Sequence, residues 1–178
     1  MTVHAFVDES LRSSYLLAAA ILEPAELAAA RTLLRALRQG AQSRIHFQTE
    51  SDVRRRKIIA ELVAVGLRTR IYVGGGRDEA VRQTCLQRMV GDLLSAGAKR
   101  LVLETRGRRE DLADRHTIRT VLGPRPSAAG LEYEHLRARE EPLLWVPDAV
   151  AWCYGAGGDW RRRVSPLVDA VIGWDCPS

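Results

Sequence analysis

Two apolar runs open this chain with only a short polar break between them. The first, Val3-His4-Ala5-Phe6-Val7, leads into Asp8-Glu9-Ser10, and the second runs from Tyr15 to Leu22 after Leu11-Arg12-Ser13-Ser14. Apolar runs this close pair as an antiparallel hairpin. Everything downstream must then extend that sheet or cover it. Pro24 opens a helix that carries Leu27, Ala30, Leu34 and Leu37 on one stripe and stops at Gly40. Arg44 to Phe47 reads as a short extended piece. Ser51 caps a second helix, with Ile58, Leu62 and Val65 on its apolar stripe.

Strand and helix then alternate. Leu67 to Val73 is a strand closed by Gly74-Gly75-Gly76, and a helix from about Asp78 to Ala96 buries Val81, Cys85, Met89 and Leu93. Leu101 to Glu104 is a buried strand ending in a carboxylate, followed by a helix from about Asp111 to Leu122 and a Gly/Pro loop from Gly123 to Gly130. Glu132 to Arg137 is a further strand, and Leu143 to Tyr154 an apolar helix with Pro147 in its first turn. From Trp160 the pattern gives a short basic helix, then Leu167 to Ile172 packing on the body. A hairpin followed by such alternation predicts an α/β sheet with helices on its faces. No linker, repeat or low-complexity stretch divides the 178 residues, so one domain is expected over 1–178, with its core at about 3–156 and a basic tail at 157–178.

Charge narrows the partners. The net charge is +5, and 25 of the 27 basic residues are arginine. Guanidinium groups grip phosphates in a bidentate fork, which suits an RNA or DNA partner. A GC-rich genome gives the same bias toward arginine and alanine, so charge alone leaves both explanations open. The apolar runs are far too short to span a bilayer, and the start lacks the pattern of a signal peptide, so a cytoplasmic protein with no membrane partner is expected. Cys85, Cys153 and Cys176 have neither disulfide-framework nor zinc-site spacing.

Three carboxylates stand out by position. Asp8 ends the first strand, Glu104 ends a later one, and Asp148 sits in the first turn of the apolar helix. Ends of parallel strands in an α/β sheet converge on one edge, where sites form. Magnesium takes hard oxygen ligands, and a pair of such ions can activate water and stabilise the leaving oxygen of a phosphodiester. Each acid also has a plain structural use: Asp8-Glu9 can open a turn, Glu104 can end a strand, and Asp148 can favour a helix N-terminus.

In their order, Phe6-Val7-Asp8-Glu9-Ser10, Ile45-His46-Phe47 before a basic helix, Leu103-Glu104 and Pro147-Asp148-Ala149-Val150-Ala151-Trp152 resemble the RNase H-like superfamily. More narrowly they resemble the bacterial family called domain of unknown function 3800. The resemblance covers roughly Val3 to Tyr154. It implies an RNase H-like mixed sheet opening with an antiparallel hairpin, nuclease activity, and Mg2+ or Mn2+ held by Asp8, Glu104 and Asp148. A non-catalytic nucleic-acid-binding or protein-interaction module on the same fold is the alternative. Leu11 follows Asp-Glu-Ser where such proteins often have glycine, which bears on the first turn and on access to Asp8.

Secondary candidates follow. Glu9 alternates away from Asp8 and becomes a ligand only if the chain turns there. Asp111 and Asp114, three apart on a helix, are further candidate ligands or a solvated helix start. His46 is a candidate proton donor or acceptor, or a buried, hydrogen-bonded histidine, and His135 carries the same two readings. Arg55, Arg56 and Arg106 are the arginines expected near phosphate, while Arg161 to Arg163 read as a solvated helix face. Trp145, Trp152, Trp160 and Trp174 build core or an oligomer face, and a homodimer is an expectation resting on the second use.

Overall fold

The computed structural model describes residues 2–12, 14–124 and 130–173, so Trp174 and Cys176 lie outside the described residues. Six strands form one sheet: β1 (Val3–Leu11), β2 (Tyr15–Leu22), β3 (Arg68–Gly74), β4 (Ala98–Glu104), β5 (Glu132–Leu136) and β6 (Val168–Gly173). Their order is β5-β4-β1-β2-β3-β6. β1 and β2 are the expected antiparallel hairpin, and β2 is also antiparallel to β3. β4 lies parallel to β1, β5 to β4 and β6 to β3. Only β2 therefore runs against the rest, and the C-terminal ends of the other five share one edge.

The sequence explains the two layers. β2 is apolar at every position because, inside the sheet, it is buried on both faces. Along β1, side chains alternate: Phe6 joins one core, and Val3, Ala5 and Val7 join the other. The first face is covered by α1 (Leu27–Ala36), α2 (Asp52–Val65) and α5 (Trp145–Ala156). The second is covered by α3 (Glu79–Ser95) and α4 (Arg108–Leu122). Ser51 caps α2 by accepting from the Arg54 amide at 3.3 Å, as expected. Gly74 permits close approach of α3, since a Cβ there would lie 2.1 Å from a Val81 methyl.

Four expectations change. Val65 is exposed, and Ile59 takes its place beside Ile58 and Leu62 in the core. The extended piece expected from Arg44 to Phe47 is extended at His46 but ends there, because Phe47 opens a 3₁₀ turn at Phe47–Thr49. The tail is part of the sheet: after α6 (Gly158–Val164), β6 adds to β3, and the Thr69 hydroxyl bonds the Leu167 carbonyl at 2.8 Å. Trp145 and Trp152 are core, and Trp160 meets Trp152 edge-on at 5.6 Å. The homodimer expectation thereby loses the support of these tryptophans. Cys85 and Cys153 are buried, and burial pushes their thiols up to about 11 and about 12. Among the described residues no helix is long and apolar enough to cross a membrane.

One polar network locks the second face. The Arg82 side chain is 2% exposed, and its fork donates to the fully buried Asp114 at 2.9 and 2.7 Å. It also donates to Glu9 and, at 2.7 Å, to the Tyr15 hydroxyl, which itself donates to Glu9. Arg106 joins Asp114 at 3.3 Å and Glu79 at 3.0 Å, and His135 Nε2 lies 3.3 Å from Asp114. Burial alone would raise the Asp114 carboxyl; the bonds from His135 and Arg82 and the charge of Arg106 hold it well below the usual carboxylate range. Removing one member of a buried charge network leaves the others unpaired, at a cost of about 3–5 kcal/mol. Arg82→Met is therefore expected to lower the unfolding free energy in urea by about that amount. A loss within the ordinary scatter of surface variants would contradict the network's role.

Candidate active site

At its C-terminal end β1 delivers consecutive carboxylates to opposite faces. Asp8 follows Phe6 toward α5, whereas Glu9 follows Val7 toward α3. β1 continues to Leu11, paired with Tyr15, so no turn brings Glu9 back. Glu104, at the end of β4, follows Val102 onto the Asp8 face. Asp148 enters from above in the first turn of α5, which packs across β1 and β2.

Asp8, Glu104 and Asp148 line one cavity of about 410 Å³, together with Arg12, Arg44 and His46. Asp8 Oδ1 accepts from the Glu9 amide at 2.7 Å, and Asp148 Oδ2 accepts from the Phe47 amide at 3.0 Å. The second bond ties the 3₁₀ turn to α5 and places His46 at the mouth, with Nδ1 3.8 Å from Asp148 Oδ2. Arg44 donates to Glu104 at 3.0 Å.

The electrostatics are those of crowded anions. Burial raises the Asp8 carboxyl well above its ordinary value, and the charges of Glu104 and then Asp148 raise it further. Asp148 raises the His46 imidazole by stabilising its protonated form. Perturbed titrations gathered in one cleft are a mark of functional sites. Among the described residues no three His, Cys, Asp or Glu side chains close around a common point as the ligands of a bound ion would. The donor set nonetheless fits a hard divalent cation, since three carboxylates share the cleft with Arg12, Arg44 and His46.

The remaining candidates lie elsewhere. The Glu9, Asp114 and Arg106 side chains all belong to the network on the far face. Asp111 accepts there from the Thr105 hydroxyl at 2.6 Å and the Arg106 amide at 3.1 Å, closing the loop into α4. These groups are paired because their elements meet behind the sheet; Glu9 also lines the Asp8 cavity, but its carboxylate is taken by Arg82 and Tyr15. His135 is the buried, hydrogen-bonded histidine of its two readings. Arg55 is spent internally: it donates to the Phe47 carbonyl at 2.9 Å, the Gln48 carbonyl at 2.6 Å and Asp52 at 2.8 Å, with its guanidinium 4.2 Å from the centre of the Trp152 ring. It therefore supports the turn that carries His46. Arg56 is exposed on α2, its guanidinium 5.8 Å from the Trp160 ring centre.

Two arginines that composition alone did not single out line the cleft. Arg44 directly precedes Ile45-His46-Phe47, which was the available signal. Arg12 sits at the hairpin tip, 4.3 Å from the Trp152 ring centre, and its carbonyl and that of Leu11 accept from Arg77. Leu11 extends β1, and it lines the same cavity as Asp8.

No family model matches the chain, and no curated protein matches it. Among solved structures the fold is similar to that of RNase HII in the structure of the PCNA:RNase HII complex from Archaeoglobus fulgidus. The TM-score is 0.52 and the identity 14%, covering 85% of this chain and 70% of that one. The likeness carries the mixed sheet and the RNase H-like fold. It does not extend to the narrower family, domain of unknown function 3800.

Because ionised Asp8 is costly in the metal-free fold, Asp8→Asn is expected to raise the thermal midpoint in chelator at pH 8. The gain should narrow as pH falls and wild-type Asp8 takes up its proton. For a chain of this size each kcal/mol moves the midpoint by about 2–4 °C. An equal drop at both ends of the pH range would contradict the crowding.

Proposed function

We propose that this chain is a divalent-metal-dependent nuclease that hydrolyses phosphodiester bonds of RNA or DNA. The observation that carries the reading is the delivery of Asp8, Glu104 and Asp148 by three separate elements into one cavity, where burial and then the other two acids raise the Asp8 carboxyl. The RNase H-like fold is consistent with it, the similar solved structure being that of an RNase HII.

Asp8, Glu104 and Asp148 would hold Mg2+ or Mn2+, which supplies Lewis-acid activation of water and neutralises charge on the phosphate. The protein's own groups do the rest. Arg12 and Arg44 bind phosphate oxygens at the cavity wall. Asp148 orients His46 and favours its protonated form, so the imidazolium can give a proton to the leaving oxygen as the P–O bond breaks. Trp152 and Arg55 hold the surrounding surface in place.

A second reading, a nucleic-acid-binding module without catalysis, draws on the Arg44–Glu104 contact. That guanidinium already occupies one oxygen of a would-be ligand. Both readings are separated by one set of measurements. Purified protein is expected to cleave RNA, DNA or a hybrid with Mg2+ or Mn2+, and to lose cleavage in chelator and in Asp8→Asn. Metal should also raise the wild-type thermal midpoint more than that of the variant. Salt-dependent binding with no metal uptake and no cleavage would favour the module, and equal cleavage by Asp8→Asn would exclude this mechanism.

A further inference from the structure

We propose that a second cavity, on the far side of Glu104 from Asp8, is a phosphate subsite, so that a nucleic-acid strand passes through the acid cleft and is cut internally. The internal cut rests on the nuclease reading above; the subsite does not. The cavity is about 440 Å³ and is lined by Ser43, Arg44, Glu104, Thr105, Arg137 and Arg139. It shares Arg44 and Glu104 with the acid cavity, so the two lie side by side along that ion pair.

Its cations are presented by a fixed turn. The Arg137 amide donates to Glu140 Oε2 at 2.8 Å, and the Glu140 amide donates to the Arg137 carbonyl at 2.8 Å. Between the two arginines Ala138 is buried, and its carbonyl accepts from Trp145 Nε1 at 2.7 Å. Burying Ala138 leaves Arg137 and Arg139 exposed on either side of it. Arg82 and Arg106 are neutralised by carboxylates, whereas among the described residues Arg137 and Arg139 have no carboxylate partner within 4.0 Å. Glu140, the acid beside them, turns its carboxylate onto the Arg137 amide. A preorganised turn with unspent guanidinium groups loses little freedom on gripping phosphate.

The positions of the cations set the path. Arg12 lines the acid cavity at the hairpin tip, and Arg137 and Arg139 follow beyond Arg44 and Glu104. Phosphates on both sides of a bond held at Asp8 would thus find partners, which an enzyme trimming only chain ends does not require. Guanidinium contacts to the backbone carry no base information, so the ligand class is a phosphodiester strand of any sequence.

The test uses the full chain carrying Asp8→Asn, so that probes stay intact. Binding is read by fluorescence anisotropy with a labelled RNA–DNA hybrid and its two separate strands, across a salt series. Adding Arg137→Ala and Arg139→Ala should weaken binding severalfold and flatten the dependence of log K on log salt by about 1.4 for single strands or about 1.8 for a duplex, with the thermal midpoint unchanged. An unaltered slope and affinity would overturn the subsite while leaving the nuclease reading intact; failure of the parent to bind any probe would overturn the subsite and count against the nuclease reading as well. With wild-type protein and metal, a circular strand should be opened. Trimming of linear ends alone would overturn the through-path but not the nuclease. Absence of all cleavage beside a flattened slope would overturn internal cutting and the nuclease reading together, and would support the subsite.

Discussion

The two-residue repeat of a pleated strand is the constraint on which this molecule depends. Register is fixed by the pairing of β1 with β2, from His4 opposite Leu22 to Leu11 opposite Tyr15. It is enforced by burial of Phe6 on one face and Val7 on the other. A slip of one residue would put Val7 among the side chains that surround Phe6 and move Asp8 behind the sheet. Because the apolar part of β1 cannot slip, Asp8 must face α5 and Glu9 must face Arg82.

The two faces then solve opposite electrostatic problems with similar residues. Behind the sheet, Glu9, Asp111 and Asp114 are met by arginine, histidine, hydroxyl or amide partners, and Asp114 is held strongly acidic. In front, Asp8, Glu104 and Asp148 share a cavity in which Arg44 and His46 are the nearby compensation, and Asp8 is held weakly acidic. The first arrangement is a lock, since each carboxylate finds its partner within the fold. The second leaves an excess of negative charge that the proposed metal would relieve.

Much of this was legible in the residues. The hairpin followed from two adjacent apolar runs, and the parity of Asp8 against Glu9 followed from strand alternation. The position of Asp148 in a helix's first turn was also readable. The far-face network was not, because Arg82 meets Asp114 and Glu9 across separations of 32 and 73 residues. In a chain with 25 arginines, sequence alone does not distinguish an Arg55 spent on backbone carbonyls from an Arg12 or Arg137 exposed to solvent. From sequence β6 shows only as a packed tail; in the sheet its six residues alternate between half-buried and exposed, the pattern of a short edge strand.

The most direct measurement is a crystal structure with Mn2+ soaked in, read by anomalous scattering. One or two peaks are expected in the cleft, coordinated directly by Asp8 together with Glu104 or Asp148, with Arg44 released from Glu104 as the metal takes its place. An empty cleft at saturating Mn2+, or peaks bound only behind the sheet among Glu9, Asp111 and Asp114, would contradict the assignment of these three acids to one metal site.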